Sequence, residues 1–156
     1  MRGTAIIALA LVSGCQGYQA GTFRHFNAEL AGERRTVGCL DVAVADTNDA
    51  EALGPVAGIT IANRCDVAVT VDIGAIRATG RRPDGDVIAL RAYDPAWEIR
   101  PARLEARSVA TEYIEYQSPP QQELLFTEWC LDLARVDAKR PSDAPVLVCF
   151  ANGVRA

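Results

Sequence analysis

The feature that most constrains the fold is an alternation of apolar and polar residues with a period of two, which begins at Thr36. Residues 40–44, 59–62 and 67–73 follow this pattern and are rich in Val and Ile. Successive side chains of a strand point to opposite faces, so the pattern predicts half-buried β-strands. Five further segments are predicted as strands: 87–92, 98–107, 109–116, 128–137 and 145–151.

Short turn signals separate these segments. Residues 63–66 form one, and Arg82-Pro83-Asp84-Gly85-Asp86 combines Pro and Gly in another. A helical pattern is found only over 121–126, where we predict a loop or a short helical turn. Seven to eight strands with turns about every 8–12 residues predict an all-β domain over 36–156, an antiparallel β-sandwich of the immunoglobulin-like kind.

The first fifteen residues have the composition of an export signal. Arg2 is followed by the apolar residues 5–12 and by two small residues before Cys15. The run Leu11-Val12-Ser13-Gly14-Cys15 resembles the lipobox of bacterial lipoprotein signal peptides. The resemblance implies that residues 1–14 are removed and that Cys15 carries a diacylglycerol and an acylated amino group. An ordinary secretory signal with an incidental cysteine is the alternative.

The lipid would be the membrane anchor, because the apolar run is far shorter than the roughly 20 residues that span a bilayer. Gln16 follows the cysteine where an inner-membrane retention signal would carry Asp. The resemblance therefore implies a cell-envelope protein, in the outer membrane of a Gram-negative cell, facing the periplasm or the cell surface. Residues 15–35 are predicted to form a lipidated tether of about 25 Å. An ordered edge strand or a short helix in this segment is the alternative.

Four further cysteines, Cys39, Cys65, Cys130 and Cys149, are an even number in an exported chain, which predicts two disulfides. Their spacings of 26, 65 and 19 residues and the single histidine argue against a zinc site. Hairpin formation favours Cys39–Cys65 and Cys130–Cys149, although strict alternation places the first pair on different faces unless a bulge intervenes. Pairings between sheets stay open.

The charge of the chain excludes some classes of partner. Sixteen basic and twenty acidic residues give a formal net charge of −4. This acidic balance argues against nucleic acid, and against an anionic lipid surface, as the main partner.

The sequence offers little for catalysis. His25, the single histidine, falls in the predicted tether, where a catalytic base would lack a rigid orienting partner. Glu112 and Glu115 are three residues apart on a predicted strand, so they face opposite sides and do not pair. Phosphate-loop, dinucleotide and nucleophile-elbow motifs are missing from the sequence. We therefore expect no enzyme, no cofactor and no metal site.

Aromatic residues are the remaining candidates for binding. The segment Tyr93-Asp94-Pro95-Ala96-Trp97 interrupts regular pairing, and we predict that Tyr93, Asp94 and Trp97 form a weak binding site. The favoured function is a non-enzymatic binding or structural module that is anchored to the membrane and contacts an envelope protein or polymer. The alternative is a small envelope hydrolase, which would require that Asp94, Glu98, Glu112 and Glu115 gather in one cleft.

Overall fold

The computed structural model describes residues 17–25, 28–47, 51–119 and 125–151. Three predicted features lie outside these residues: the signal peptide, the lipidation of Cys15 and most of the 121–126 turn. Within the described ranges, no helix is long and apolar enough to cross a membrane.

Twelve strands and one short 3-10 turn, Ile73–Ala75, make up the regular structure of the described residues. The strands are β1 (Arg24–His25), β2 (Ala28–Glu29), β3 (Glu33–Val37), β4 (Leu40–Thr47), β5 (Val56–Asn63), β6 (Val69–Val71), β7 (Arg77–Arg81), β8 (Val87–Ala92), β9 (Ala102–Leu104), β10 (Val109–Gln117), β11 (Glu128–Asp132) and β12 (Leu147–Ala151).

Eight of these strands form one antiparallel sheet in the order β12-β11-β7-β8-β10-β5-β4-β3. Its two edge strands, β3 and β12, lie close together: Arg35 Nε on β3 donates to the carbonyl of Leu147 on β12 at 3.0 Å. The sheet is therefore nearly closed and barrel-like. The prediction of an all-β antiparallel fold is confirmed. Two further two-stranded sheets, β1–β2 and β6–β9, accompany the large sheet in the described residues, and the finer prediction of an immunoglobulin-like sandwich is not confirmed.

The core lies on the inner face of this sheet. Val42 and Val44 of β4, Ile59 of β5 and Leu131 of β11 are fully buried there. Trp129 is also fully buried and stacks at 4.8 Å between ring centroids on Phe150 of β12. Alternation along the central strands is thus the direct cause of the core, as the period-two pattern predicts.

Much of the segment predicted as a tether is folded. Tyr18 and Leu30 are buried against Ala43 and Ala62, which lie on the outer face of β4 and β5. The segment 28–37 contains the edge strand β3, which pairs with β4. The structure therefore shows the alternative in which this segment adds an ordered edge strand, and Tyr18 is the first buried residue among those described.

Both favoured disulfides are confirmed. Cys130 lies directly opposite Cys149 on the β11–β12 hairpin, with Cα atoms 4.1 Å apart. Cys39 and Cys65 are also bonded, with Cα atoms 5.7 Å apart. Both residues of this second pair lie outside the strands, before β4 and after β5, so strand alternation does not govern which way they point.

The sheet has two ends, called here the near end and the far end. The near end comprises residues 38–39, 64–68, 103–108 and 138–140. The far end comprises residues 51–55, 82–86 and 117–119. Strand β10 runs from the near end at Val109 to the far end at Gln117, a length of about 27 Å at 3.4 Å per residue.

Candidate functional site

A surface groove of about 440 Å³ lies where β8 and β10 stop pairing. The two strands pair through Ala92 with Tyr116 and Arg91 with Gln117, and the Tyr93 N–H donates to the Glu115 carbonyl at 2.8 Å before the loop leaves β10. Two short segments line the groove: Arg91, Ala92, Tyr93, Asp94 and Pro95 from β8 and its loop, and Gln117, Ser118 and Pro119 from the end of β10. The predicted residues Tyr93 and Asp94 are thus part of its wall.

Asp94 fixes the shape of the loop after β8. One of its carboxylate oxygens accepts from the backbone N–H of Glu98 at 2.7 Å, and the other accepts from that of Ile99 at 3.0 Å. The side chain of Ile99 packs against the core, which ties the loop to the domain. Asp94 therefore acts as a loop cap, in the manner of aspartates that bind nearby backbone N–H groups.

Trp97 lies at the crest of this loop with 77% of its surface exposed. Its backbone φ is +57°, a conformation that side-chain-bearing residues adopt infrequently. The turn is held by the Trp97 N–H to the Asp94 carbonyl at 3.4 Å and by Arg100 Nε to the Trp97 carbonyl at 2.9 Å. An indole kept in water by a braced loop is a feature of recognition surfaces, where Trp is enriched. Trp97 itself does not line the groove; it lies on the loop that forms one wall.

Hydrogen bonds of Glu115 hold the end of β10 next to the groove-lining residue Gln117. Glu115 accepts from the backbone N–H groups of Leu53 and Gly54, at 2.7 and 3.2 Å, and from Gln117 Nε2 at 2.8 Å. Gln117 is 8% exposed, and its Oε1 atom is buried with no hydrogen-bond partner among the described residues. A buried acceptor of this kind is costly unless a donor reaches it.

The groove therefore has the chemistry of a binding site. It offers a cationic rim at Arg91 and the half-exposed ring of Tyr93, beside the largely buried Gln117. Its volume falls within the range of sites for small ligands and short polymer segments.

The four carboxylates of the alternative hydrolase do not form one acidic cluster. Asp94 accepts from backbone N–H groups through both carboxylate oxygens and Glu115 through Oε1, while Glu98 and Glu112 are exposed. Among the described residues, the one set of three potential metal ligands within 4.8 Å of one another is Glu128 with Cys130 and Cys149. Those two sulfurs are joined in a disulfide, so they are not thiolate ligands.

A buried carboxylate that the sequence analysis did not single out lies elsewhere. Asp41 is fully buried and accepts from Tyr18 Oη at 2.8 Å, from the Gly21 N–H at 2.7 Å and from Thr36 Oγ1 at 3.0 Å. Arg64 Nε lies 3.7 Å from it and supplies positive charge. We call Tyr18, Gly21, Thr36, Asp41 and Arg64 the N-terminal clasp. An aspartate in the apolar segment 40–44 is the sequence signal that points to it.

The clasp also perturbs Tyr18. Burial, the hydrogen bond to Asp41 and the negative charge of Asp41, in that order, raise the pKa of Tyr18 above its usual range. The phenol therefore stays protonated and donates. His25, which lies on β1 in the same segment, is half-buried.

Comparison of the chain with known protein families, with curated proteins and with solved structures gives no match.

Proposed function

We propose that this protein is a membrane-anchored envelope lipoprotein that acts as a non-enzymatic binding module. The lipid would be attached at Cys15, in the outer membrane of a Gram-negative cell, facing the periplasm or the cell surface. The partner would be an envelope protein or polymer, and the binding surface would be the groove together with the Trp97 loop. No cofactor, metal or nucleic acid enters this proposal.

The observation that carries the proposal is the exposure of Trp97 on a loop that hydrogen bonds of Asp94 and Arg100 hold in place. Leaving an indole in water forgoes about 1.5–3 kcal/mol of burial free energy, a cost that a binding surface recovers when a partner covers the ring. The Asp94 cap and the Arg100 contact keep the ring in place before binding. A pre-ordered aromatic anchor beside a polar groove is the usual composition of a recognition hot spot.

The experiment is crosslinking in intact envelopes followed by purification of the tagged protein. Three proteins are compared: wild type, Trp97→Ala and Tyr113→Ala. Tyr113 is the matched control because it is also an aromatic residue, 70% exposed, but lies on strand β10 outside the groove. We expect wild type and Tyr113→Ala to recover the same crosslinked species, and Trp97→Ala to lose most of it. Equal recovery by Trp97→Ala and Tyr113→Ala would contradict the proposal.

The alternative is a small envelope hydrolase with a carboxylate-based site. Glu98→Gln and Glu112→Gln remove exposed carboxylates that cap no described backbone group. We expect both variants to rescue a deletion strain as well as wild type does. If either amide variant fails to rescue while it stays folded and in the membrane, the hydrolase becomes the better account.

A further inference from the structure

We propose that the near end of the sheet lies against the membrane surface and that the groove points away from it. This inference rests on the proposed lipid at Cys15 and adds the orientation of the domain. It follows from how soon the chain becomes part of the fold after Cys15.

Only Gln16 and Gly17 separate Cys15 from Tyr18, which is buried in the clasp. Three residue steps reach at most about 11 Å. A lipidated Cys15 lies at the level of the headgroups, so the backbone of Tyr18 lies within that distance of them. A tether of about 25 Å, which the composition of residues 16–35 suggests, is not available once this segment is folded.

The exit point of the chain is at the near end. The Tyr18 N–H donates to the carbonyl of Arg107 at 2.7 Å, and an ideal Cβ built on Gly17 would lie 2.9 Å from Arg107 Cβ. Asp41 and Arg64 hold the same segment from the start of β4 and the end of β5. The residues closest to the bilayer are therefore those of the near end.

The charge of the near end suits an anionic headgroup layer. It carries five cationic side chains, and the carboxylates that it exposes are Asp66 and Glu105, each paired with one of those arginines. Asp41 and Asp137 beside it are buried, and Arg64 is paired with Asp41. Lys139 and Arg140 are therefore the near-end cations without an ion pair among the described residues, and they give that end exposed positive charge in a chain whose formal net charge is −4. The cations are Arg64, Arg103, Arg107, Lys139 and Arg140.

The groove lies on the other half of the molecule. Gln117, which lines it, is about 27 Å along β10 from Val109, which follows the near end. With the near end on the membrane, the groove opens towards the aqueous side, where an envelope partner can reach it.

Lys139 allows a direct test because it is the single lysine of the chain and is exposed at the near end. An amine-reactive fluorophore on the purified, lipidated protein therefore reports that end. In the charge-matched double variant Lys139→Arg/Arg82→Lys, the single lysine moves to the far-end turn 82–86. The single variant Lys139→Arg has no lysine, so any fluorophore that it carries is attached at another group, and this background is subtracted. All three proteins are reconstituted into phosphatidylethanolamine and phosphatidylglycerol vesicles that contain a lipid with a nitroxide on its headgroup.

We expect the fluorophore on Lys139 to lose most of its emission and the fluorophore at position 82 to keep most of it. Equal quenching at the two positions, or stronger quenching at position 82, would overturn the orientation. Insertion of 20 Gly and Ser residues between Gln16 and Gly17 supplies a linker of about 25 Å without changing the domain. We expect this insertion to abolish the contrast, and a contrast that persists would overturn the role of the short connection.

Vesicle flotation separates this test from that of the proposed function. A protein that does not float with vesicles contradicts the lipid anchor itself, and the orientation with it. A protein that floats but is quenched equally at both positions contradicts only the orientation.

Discussion

At the scale of single residues, Asp41 shows how a buried charge organises a segment that sequence patterning does not identify. Three donors and the charge of Arg64 satisfy its carboxylate, and two of the donors come from the N-terminal segment. A buried carboxylate is stable only when its partners are present, so Asp41 selects the folded form of that segment.

Tyr18→Phe tests this role because it removes one hydroxyl and keeps the ring. The variant deprives Asp41 of a donor and the Phe23 N–H of its acceptor. We expect the free energy of unfolding, measured by urea denaturation, to fall by about 1–3 kcal/mol. Tyr113→Phe, a change at an exposed ring, is expected to stay within about 0.5 kcal/mol of wild type. Equal losses in the two variants would contradict the clasp.

Alkaline pH provides a second test at this scale. Burial raises the pKa of Tyr116, and burial with the Asp41 contacts raises that of Tyr18, so both phenols stay protonated in the folded state. The free energy of folding that these two protonated phenols contribute is fully present below the unfolded-state pKa of about 10. It decreases at higher pH, because the unfolded chain then releases the two protons and the folded chain keeps them.

We therefore expect the melting temperature to fall as the pH rises above about 10. Tyr116→Phe should flatten this decrease and cost little at pH 7, because its buried hydroxyl has no partner among the described residues. A wild-type melting temperature that stays constant as the pH rises above about 10 would contradict the raised pKa values of these two tyrosines.

At the scale of elements, the sequence predicts strands well where burial on one face imposes a period of two. Strands β4 and β5 are predicted this way, whereas β8 is predicted from the turn before it and both disulfides from hairpin formation. Strand β3 is predicted only as an alternative and without bounds, because an edge strand that reads Glu-Arg-Arg-Thr has mostly solvent-exposed side chains and shows no apolar period.

The candidate site was predictable only in part for a similar reason. Tyr93, Asp94 and Trp97 stand out as aromatic and turn-forming residues, and two of them line the groove. Gln117 and Ser118 are ordinary polar residues in sequence. They become site residues because β8 and β10 diverge beside them, and that divergence is a property of tertiary pairing.

The disulfides give a prediction at this scale. They close loops of 26 and 19 residues, so removing either bridge should lower the free energy of unfolding by about 3 kcal/mol. The measurement compares wild type with Cys39→Ser/Cys65→Ser and Cys130→Ser/Cys149→Ser by urea denaturation. Peptide mapping without reduction should recover these two pairs alone. Free thiols at these positions in protein purified from the envelope would contradict the oxidising compartment.

At the scale of the whole molecule, the N-terminal segment and both edges of the large sheet belong to one packed fold. The N-terminal segment closes onto the outer face of the sheet, and β3 reaches β12 through Arg35. The barrel-like closure was not predictable from strand patterning, because alternation specifies which residues face the core but not how many strands share one sheet.

The central claim is that Cys15 carries the lipid, and metabolic labelling with a fatty-acid analogue tests it most directly. Wild type and Cys15→Ser are expressed in cells that are fed the analogue, and each purified protein is assayed for incorporated label. We predict label on wild type and none on Cys15→Ser, because the proposed lipoprotein carries fatty acids on a diacylglycerol joined to the Cys15 sulfur and on the amino group that cleavage would expose. Equal labelling of the two proteins, or an unlabelled wild type, would contradict the account.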